Sequence, residues 1–254
     1  MIIQIISLVN EKRFDVKIKR SLFVLLVGSA FFFSTSTTYA ESHTFHRDYT
    51  YRASEADSKL AYVNRGLAYM EKGQYDLAIR DFNKAFEIDP SSAEIYLNRG
   101  TAYSEKSRPD AVTVYGGTSP NVYDLAIAGF NKALEIDPDC VRAYLKRGFA
   151  YLVQGRYELA IRDYSKALEV DPSNMEAYLN RGITYLVQGQ YDLAIRDYTR
   201  ALEIDPHNAN TYVKRCLAYS NLGNDEQAIA DYRTAARLGD EEAQSFLTSE
   251  GIGW

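Results

Sequence analysis

Pro138, Pro172 and Pro206 stand 34 residues apart, each closing the phrase ALE(I/V)DP. Pro90, in AFEIDP, precedes Pro138 by 48 residues, which is one period and fourteen more. A fixed period of this length leaves few architectures open. It marks an array of one supersecondary unit that cannot bury its apolar face alone and so stacks on its neighbours. Counting back from each proline places repeats at 59–92, 93–140, 141–174, 175–208 and 209–242, the second holding the fourteen extra residues.

The aromatic positions keep step with that count. Tyr62, Tyr96, Tyr144, Tyr178 and Tyr212 are fourth in their repeats, and Tyr69, Tyr103, Tyr151, Tyr185 and Tyr219 are eleventh. Tyr75, Tyr123, Tyr157 and Tyr191 follow, then Phe82, Phe130, Tyr164, Tyr198 and Tyr232. These places take up seventeen of the 21 tyrosines. Their helical spacing with Ala78, Ala85 and the equivalent alanines assigns them to a core rather than to ligand stacking. Each buried aromatic contributes roughly 1.5–3 kcal/mol.

Punctuation divides every repeat into two helices. Gly73, Gly155, Gly189 and Gly223 are expected just past the end of the first, where a left-handed residue is least costly as glycine. Asp89-Pro90 and its copies are expected to end the second helix and start the next, Asp as the cap and Pro in the first helical position. Gly66, Gly100, Gly148 and Gly182 fall inside the first helix, where glycine costs about 1 kcal/mol against alanine. A cost repeated in four places predicts close helix–helix approach there.

With Tyr62, Gly66, Tyr69, Ala78, Phe82, Ala85 and Pro90 in these places, the repeat resembles the tetratricopeptide repeat (TPR), and the resemblance covers 59–242. It implies an all-α fold, a solenoid of helical hairpins in a right-handed superhelix, with residues 243–254 as a C-terminal capping segment. The fifth repeat departs from the pattern, with Cys216 for the helix glycine and Asp240 for the proline. Every repeat also has arginine where the family more often has leucine: Arg65, Arg99, Arg147, Arg181 and Arg215. Asp81, Asp163, Asp197 and Asp231 recur on the second helices and are expected to pair with them. Gly129 replaces that aspartate in the second repeat, so Arg99 is expected to lack the partner.

The resemblance also implies binding of extended peptides or partner helices on a concave face lined by the first helices. Its contact positions fall on a polar row, Asn64, Asn98, Lys146, Asn180 and Lys214. Beside it run Leu67, Thr101, Phe149, Ile183 and Leu217, and Leu152, Val153, Leu186 and Val187 add an apolar patch. These side chains read either as a partner surface or as half-buried packing between helices. Asn98, Arg142 and Lys146 match three positions of the family's carboxylate clamp, whereas Val63 and Leu67 occupy the other two, so the clamp is incomplete. The extra residues, near 109–122, fall in the turn between the two helices of the second repeat, either as a tolerated insertion or within reach of a partner.

Residues 1–40 read as an address. A basic cluster, Lys17 to Arg20, precedes the apolar run SLFVLLVGSAFFF and the polar stretch ending at Ala40, which is the pattern of a secretory signal cleaved there. An uncleaved anchor is the other reading. Residues 41–58 then form a lead-in, and the expected location is periplasmic or secreted. Five basic and two acidic residues give the first forty a net +3, leaving −8 on the rest of a chain whose total is −5. An acidic body offers no footprint for nucleic acid. No phosphate loop, nucleophile motif or metal-ligand cluster stands out, so the expected class is non-catalytic, without cofactor, with a protein or peptide partner. Two functions fit: an interaction scaffold, or a fixed subunit of a cell-envelope assembly.

Overall fold

The computed structural model describes residues 58–106 and 120–254. Residues 1–40, read above as a secretory signal, the lead-in 41–57, and residues 107–119 at the insertion lie outside that range. The described residues form eleven helices and no strand, falling into two compact units divided between Pro172 and Ser173. The first unit holds α1 (Ser58–Glu71), α2 (Tyr75–Ile88), α3 (Ala93–Lys106), α4 (Pro120–Ile136), α5 (Val141–Val153) and α6 (Tyr157–Val170). The second holds α7 (Met175–Val187), α8 (Tyr191–Ile204), α9 (Ala209–Leu222), α10 (Asp225–Arg237) and α11 (Glu241–Ser249). In each unit consecutive helices pack as hairpins, α1 with α2 through α9 with α10, and each second helix packs on the following first helix of the same unit.

One seam repeats in every hairpin. The second helix presents alanine, aromatic, alanine at i, i+4 and i+7, which share one helical face. Ala78, Phe82 and Ala85 are wholly buried, as are Ala126, Phe130 and Ala133, Ala160, Tyr164 and Ala167, and Ala194, Tyr198 and Ala201. In the first four hairpins the glycine of the first helix lies on the aromatic ring. A Cβ at Gly182 would stand 2.7 Å from Tyr198 Cε1, and one at Gly148 would stand 2.8 Å from Tyr164 Cε1. The predicted close approach is therefore a ring lying flush on a backbone.

The helix stops follow the glycines. At Gly73 (φ +68°) the Gly73 N–H donates to the Met70 carbonyl and the Gln74 N–H to the Tyr69 carbonyl. This is the paired pattern that satisfies the last carbonyls of a helix, and it recurs at Gly155, Gly189 and Gly223. The Asp-Pro step departs from expectation. The aspartate does not cap the next helix and the proline is not its first residue; α3 starts at Ala93, three residues after Pro90. Instead the Asp89 carboxylate accepts from the Ser91 N–H and hydroxyl, closing a local turn. Asp137 and Asp205 do the same with the N–H groups of Asp139 and His207. A short carboxylate reaches the N–H two residues on more readily than a helix start further away. Capping passes to Asn174 and Asn208, whose side chains accept from Ala177 N and Thr211 N. Asp240, standing where a proline would be, caps α11 through the Ala243 N–H at 2.8 Å.

Tyr198 yields a prediction. It is fully buried, burial pushes its hydroxyl pKa well above the usual value, and that oxygen has no hydrogen-bond partner among the described residues. An unsatisfied buried polar atom costs about 1–3 kcal/mol. Phe82 and Phe130 fill the same place in the first two hairpins without a hydroxyl. Tyr198→Phe is expected to leave the protein as stable or raise its denaturant midpoint. A measured loss above about 1 kcal/mol would show that the hydroxyl has a partner worth keeping.

Candidate partner-binding site

The residues marked by sequence sit on the first helices. In the first unit Asn64 lies on α1, Asn98 on α3, and Arg142, Lys146, Phe149 and Leu152 on α5. Both α1 with α3 and α3 with α5 are neighbours, so these six share one set of adjoining helices. In the second unit Asn180, Ile183 and Leu186 lie on α7 and Lys214 on its neighbour α9. Every member of the polar row is sixth in its repeat, so each occupies the same register position on its helix.

Their exposure is not uniform. Asn64 and Arg142 are exposed, and Lys146, Phe149 and Leu152 are half-buried. Asn98, Asn180, Ile183, Leu186 and Lys214 are buried. Polar groups buried in such a row require partners, and two stand out. The Nδ2 of Asn98 has none among the described residues. The amine of Lys214 donates to Asn210 Oδ1 one turn earlier. Burial, opposed by the Asp240 carboxylate, pushes the Lys214 pKa down to about 7. Two residues on, burial pushes the Cys216 thiol up, away from the reactive thiolate.

A lattice of arginine pairs holds the row's helices in register. Arg147 donates from Nε and Nη2 to the two oxygens of Asp163 at 2.7 Å each, and Arg181 does so to Asp197 at 2.7 and 2.8 Å. Arg65 with Asp81 and Arg215 with Asp231 repeat the fork. The aspartates are almost wholly buried, at 3–6% exposure, so the geometry is the bidentate kind that offsets desolvation. Sequence reasoning anticipated these pairs and missed a third bond. Arg147 Nη1 also donates to Asn131 Oδ1 on the preceding hairpin at 2.7 Å, and Arg215 Nη1 to Thr199 Oγ1 at 3.0 Å. The signal lay in a polar residue, Asn83, Asn131 or Thr199, directly after the core aromatic. Side-chain bonds 30 residues apart add to the stacking: Lys106 to Asp76 at 2.5 Å and Gln154 to Asp124 at 2.9 Å.

Among the described residues there is no cluster of side chains able to hold a metal ion, and no helix long and apolar enough to cross a membrane. What the described residues define is a class: helical-hairpin repeats with polar and apolar side chains in fixed register on the first helices. Comparison with known proteins makes the class specific. A model described as TPR repeat matches residues 66–107 and 121–155, and two described as tetratricopeptide repeat match 146–209 and 209–238. The chain belongs to the tetratricopeptide repeat family. No curated protein matches it in sequence. Among solved structures, the crystal structure of MamA protein is similar at 24% identity and a TM-score of 0.60, with 73% of this chain and 94% of that one covered. MamA 41-end from Desulfovibrio magneticus RS-1 is similar at 18% identity and a TM-score of 0.62, covering 73% and 97%. At these identities the likeness is one of fold.

Proposed function

We propose that this chain is a non-catalytic scaffold that holds peptide or helical segments of partner proteins against the face lined by its first helices. TPR repeats are protein-interaction modules in general, and the observation that carries the specific reading is the sixth-position row. Asn64, Asn98 and Lys146 recur at one register on adjoining helices, with Phe149 and Leu152 beside them on α5. Amide and amine groups at that register can donate to the backbone carbonyls of a bound segment, and the amides can accept from its N–H groups. The exported location expected from residues 1–40 makes the partners proteins of the cell envelope or its exterior.

Site-specific photocrosslinking in the native host tests this. A photoreactive residue at Asn64 or Phe149 is expected to capture a discrete partner, whereas one at Arg80, exposed on α2, captures none. Equal capture from all three positions, or from Arg80 alone, would remove the first-helix face from the binding site. A captured partner that survives a chase with unlabelled chain would mark a fixed subunit of an assembly instead of an exchanging scaffold.

A further inference from the structure

On α3, α5 and α9 the third, seventh and tenth residues of the repeat share the helix face that meets the preceding second helix. Ile95, Ala143 and Thr211 are buried there, and Ala102, Ala150 and Ala218 have no exposed surface. Between them Arg147 and Arg215 reach back to Asn131 and Thr199 through Nη1. The same face of α1 is open. Ala68 is exposed, Ala61 is half-buried, and the Arg65 side chain is 33% exposed against 18% for Arg147 and 17% for Arg215. Two alanines flanking an arginine form a recess that a bulky side chain fills.

On the sister helices that face is covered in one fixed way. Ile79 of α2 clusters with Ala102, Asn83 accepts from Arg99, and Phe86 packs into the cluster of Ile95. On α4 the same places hold Ile127, Asn131 and Leu134, and on α8 Ile195, Thr199 and Leu202. One period before Ile79, Asn83 and Phe86 stand Phe45, Tyr49 and Arg52. The places that face a hairpin's own first helix, Ala78, Phe82 and Ala85, correspond to Thr44, Asp48 and Tyr51. So the forward stripe keeps its bulk at two places of three, while the inward stripe has lost the alanine–aromatic–alanine pattern. Residues 41–58 also span the same length as Tyr75–Ser92, a second helix with its turn.

We propose that the open face of α1 is the docking site of residues 41–57 of the same chain, with Phe45 seated against Ala68 and the Tyr49 hydroxyl accepting from Arg65. The segment acts as a half-repeat that closes the start of the array, where a terminal unit needs a cover with a polar outer side. Thr44, Arg47 and Asp48 supply that side. A second copy is the poorer occupant, because the last second helix, α10, is itself covered: α11 buries Ala243 and Leu247 in its cluster. The docking face uses the third, seventh and tenth places of the repeat and the partner-binding row the sixth, so the two readings fail separately.

The test is nuclear magnetic resonance of the full chain, labelled at phenylalanine rings and alanine methyls. A cross-peak between the Phe45 ring and the Ala68 methyl is expected. It is expected to be absent when chain labelled only on phenylalanine is mixed with chain labelled only on alanine, since the contact lies within one molecule. Phe45→Ser should remove the cross-peak and lower the hydrogen-exchange protection of α1 about tenfold, the scale of one aromatic side chain leaving a buried seat. Arg47→Ala, on the opposite side of the segment, should change neither. No cross-peak in the parent chain, unchanged α1 protection in Phe45→Ser, or an equal loss in Arg47→Ala would each overturn the docking. A cross-peak in the mixed sample would overturn it in favour of a second copy.

Discussion

Asp163→Ala is expected to destabilise the protein by about 3–5 kcal/mol, the cost of removing one partner from a buried ion pair. Arg147, to which Asp163 is bound, is largely buried, its side chain 18% exposed. Without the carboxylate its Nε and Nη2 donors lose both acceptors in a place water reaches poorly, and only Asn131 remains. The effect belongs to the uncompensated cation and not to the net strength of the pair. Arg147→Met with Asp163→Ala should therefore recover much of the loss, since an apolar replacement of a whole buried pair is often near neutral. Denaturant unfolding of the two single variants and the double variant forms the cycle that separates these terms. If Asp163→Ala alone costs under about 1 kcal/mol, the pair behaves like an exposed one, and the lattice does not hold the hairpins.

How much of this was legible without coordinates depends on which physical rule governed each place. The period, the helix stops at Gly73 and its copies, and the close helix approach at Gly66 and its copies follow from rules with one residue type per geometry, so they read off directly; that an aromatic ring lies on each of those glycines did not. The arginine–aspartate pairs were legible because both halves recur sixteen residues apart. The third bond, Arg147 to Asn131, was not, since it needs the stacking geometry that sets one hairpin against the next. The Asp-Pro step misled because a carboxylate there can cap a helix or close an Asx-type turn, and only the distance to the next helix start decides. Extra residues near 109–122 read as loop, yet Pro120, Asn121 and Val122 extend α4 beyond the start of its sister helices at Tyr75, Tyr157 and Tyr191. The candidate row was legible in register but not in exposure. Asn64 and Asn98 are the same residue at the same position, and one is exposed while the other is buried.

Gly66→Ala is expected to cost about 1–3 kcal/mol, although alanine is the better helix former by about 1 kcal/mol. Two effects oppose each other, and distance decides between them. The added methyl would stand 2.5 Å from Phe82 Cε1 and 2.9 Å from Cδ1 and Cζ, inside any tolerable contact. Phe82 has no exposed surface into which to turn. The ring cannot yield without moving Ala78 and Ala85 beside it, and close-packed interiors transmit such strain instead of absorbing it. Gly73→Ala is the control, since no atom lies within 4 Å of its added methyl and only the left-handed backbone (φ +68°) is strained. The fifth hairpin shows what relief requires. Cys216 occupies the glycine's place, and it and Tyr232 are both buried in one cluster, so that hairpin has its ring and neighbours set for a side chain. Pairing Gly66→Ala with Phe82→Leu, a smaller and more adaptable side chain, should then cost less than the sum of the two single changes. Thermal or denaturant unfolding reads this directly. A Gly66→Ala protein as stable as the parent would mean that the ring moves freely, and that the recurring glycine serves something other than the approach of the two helices.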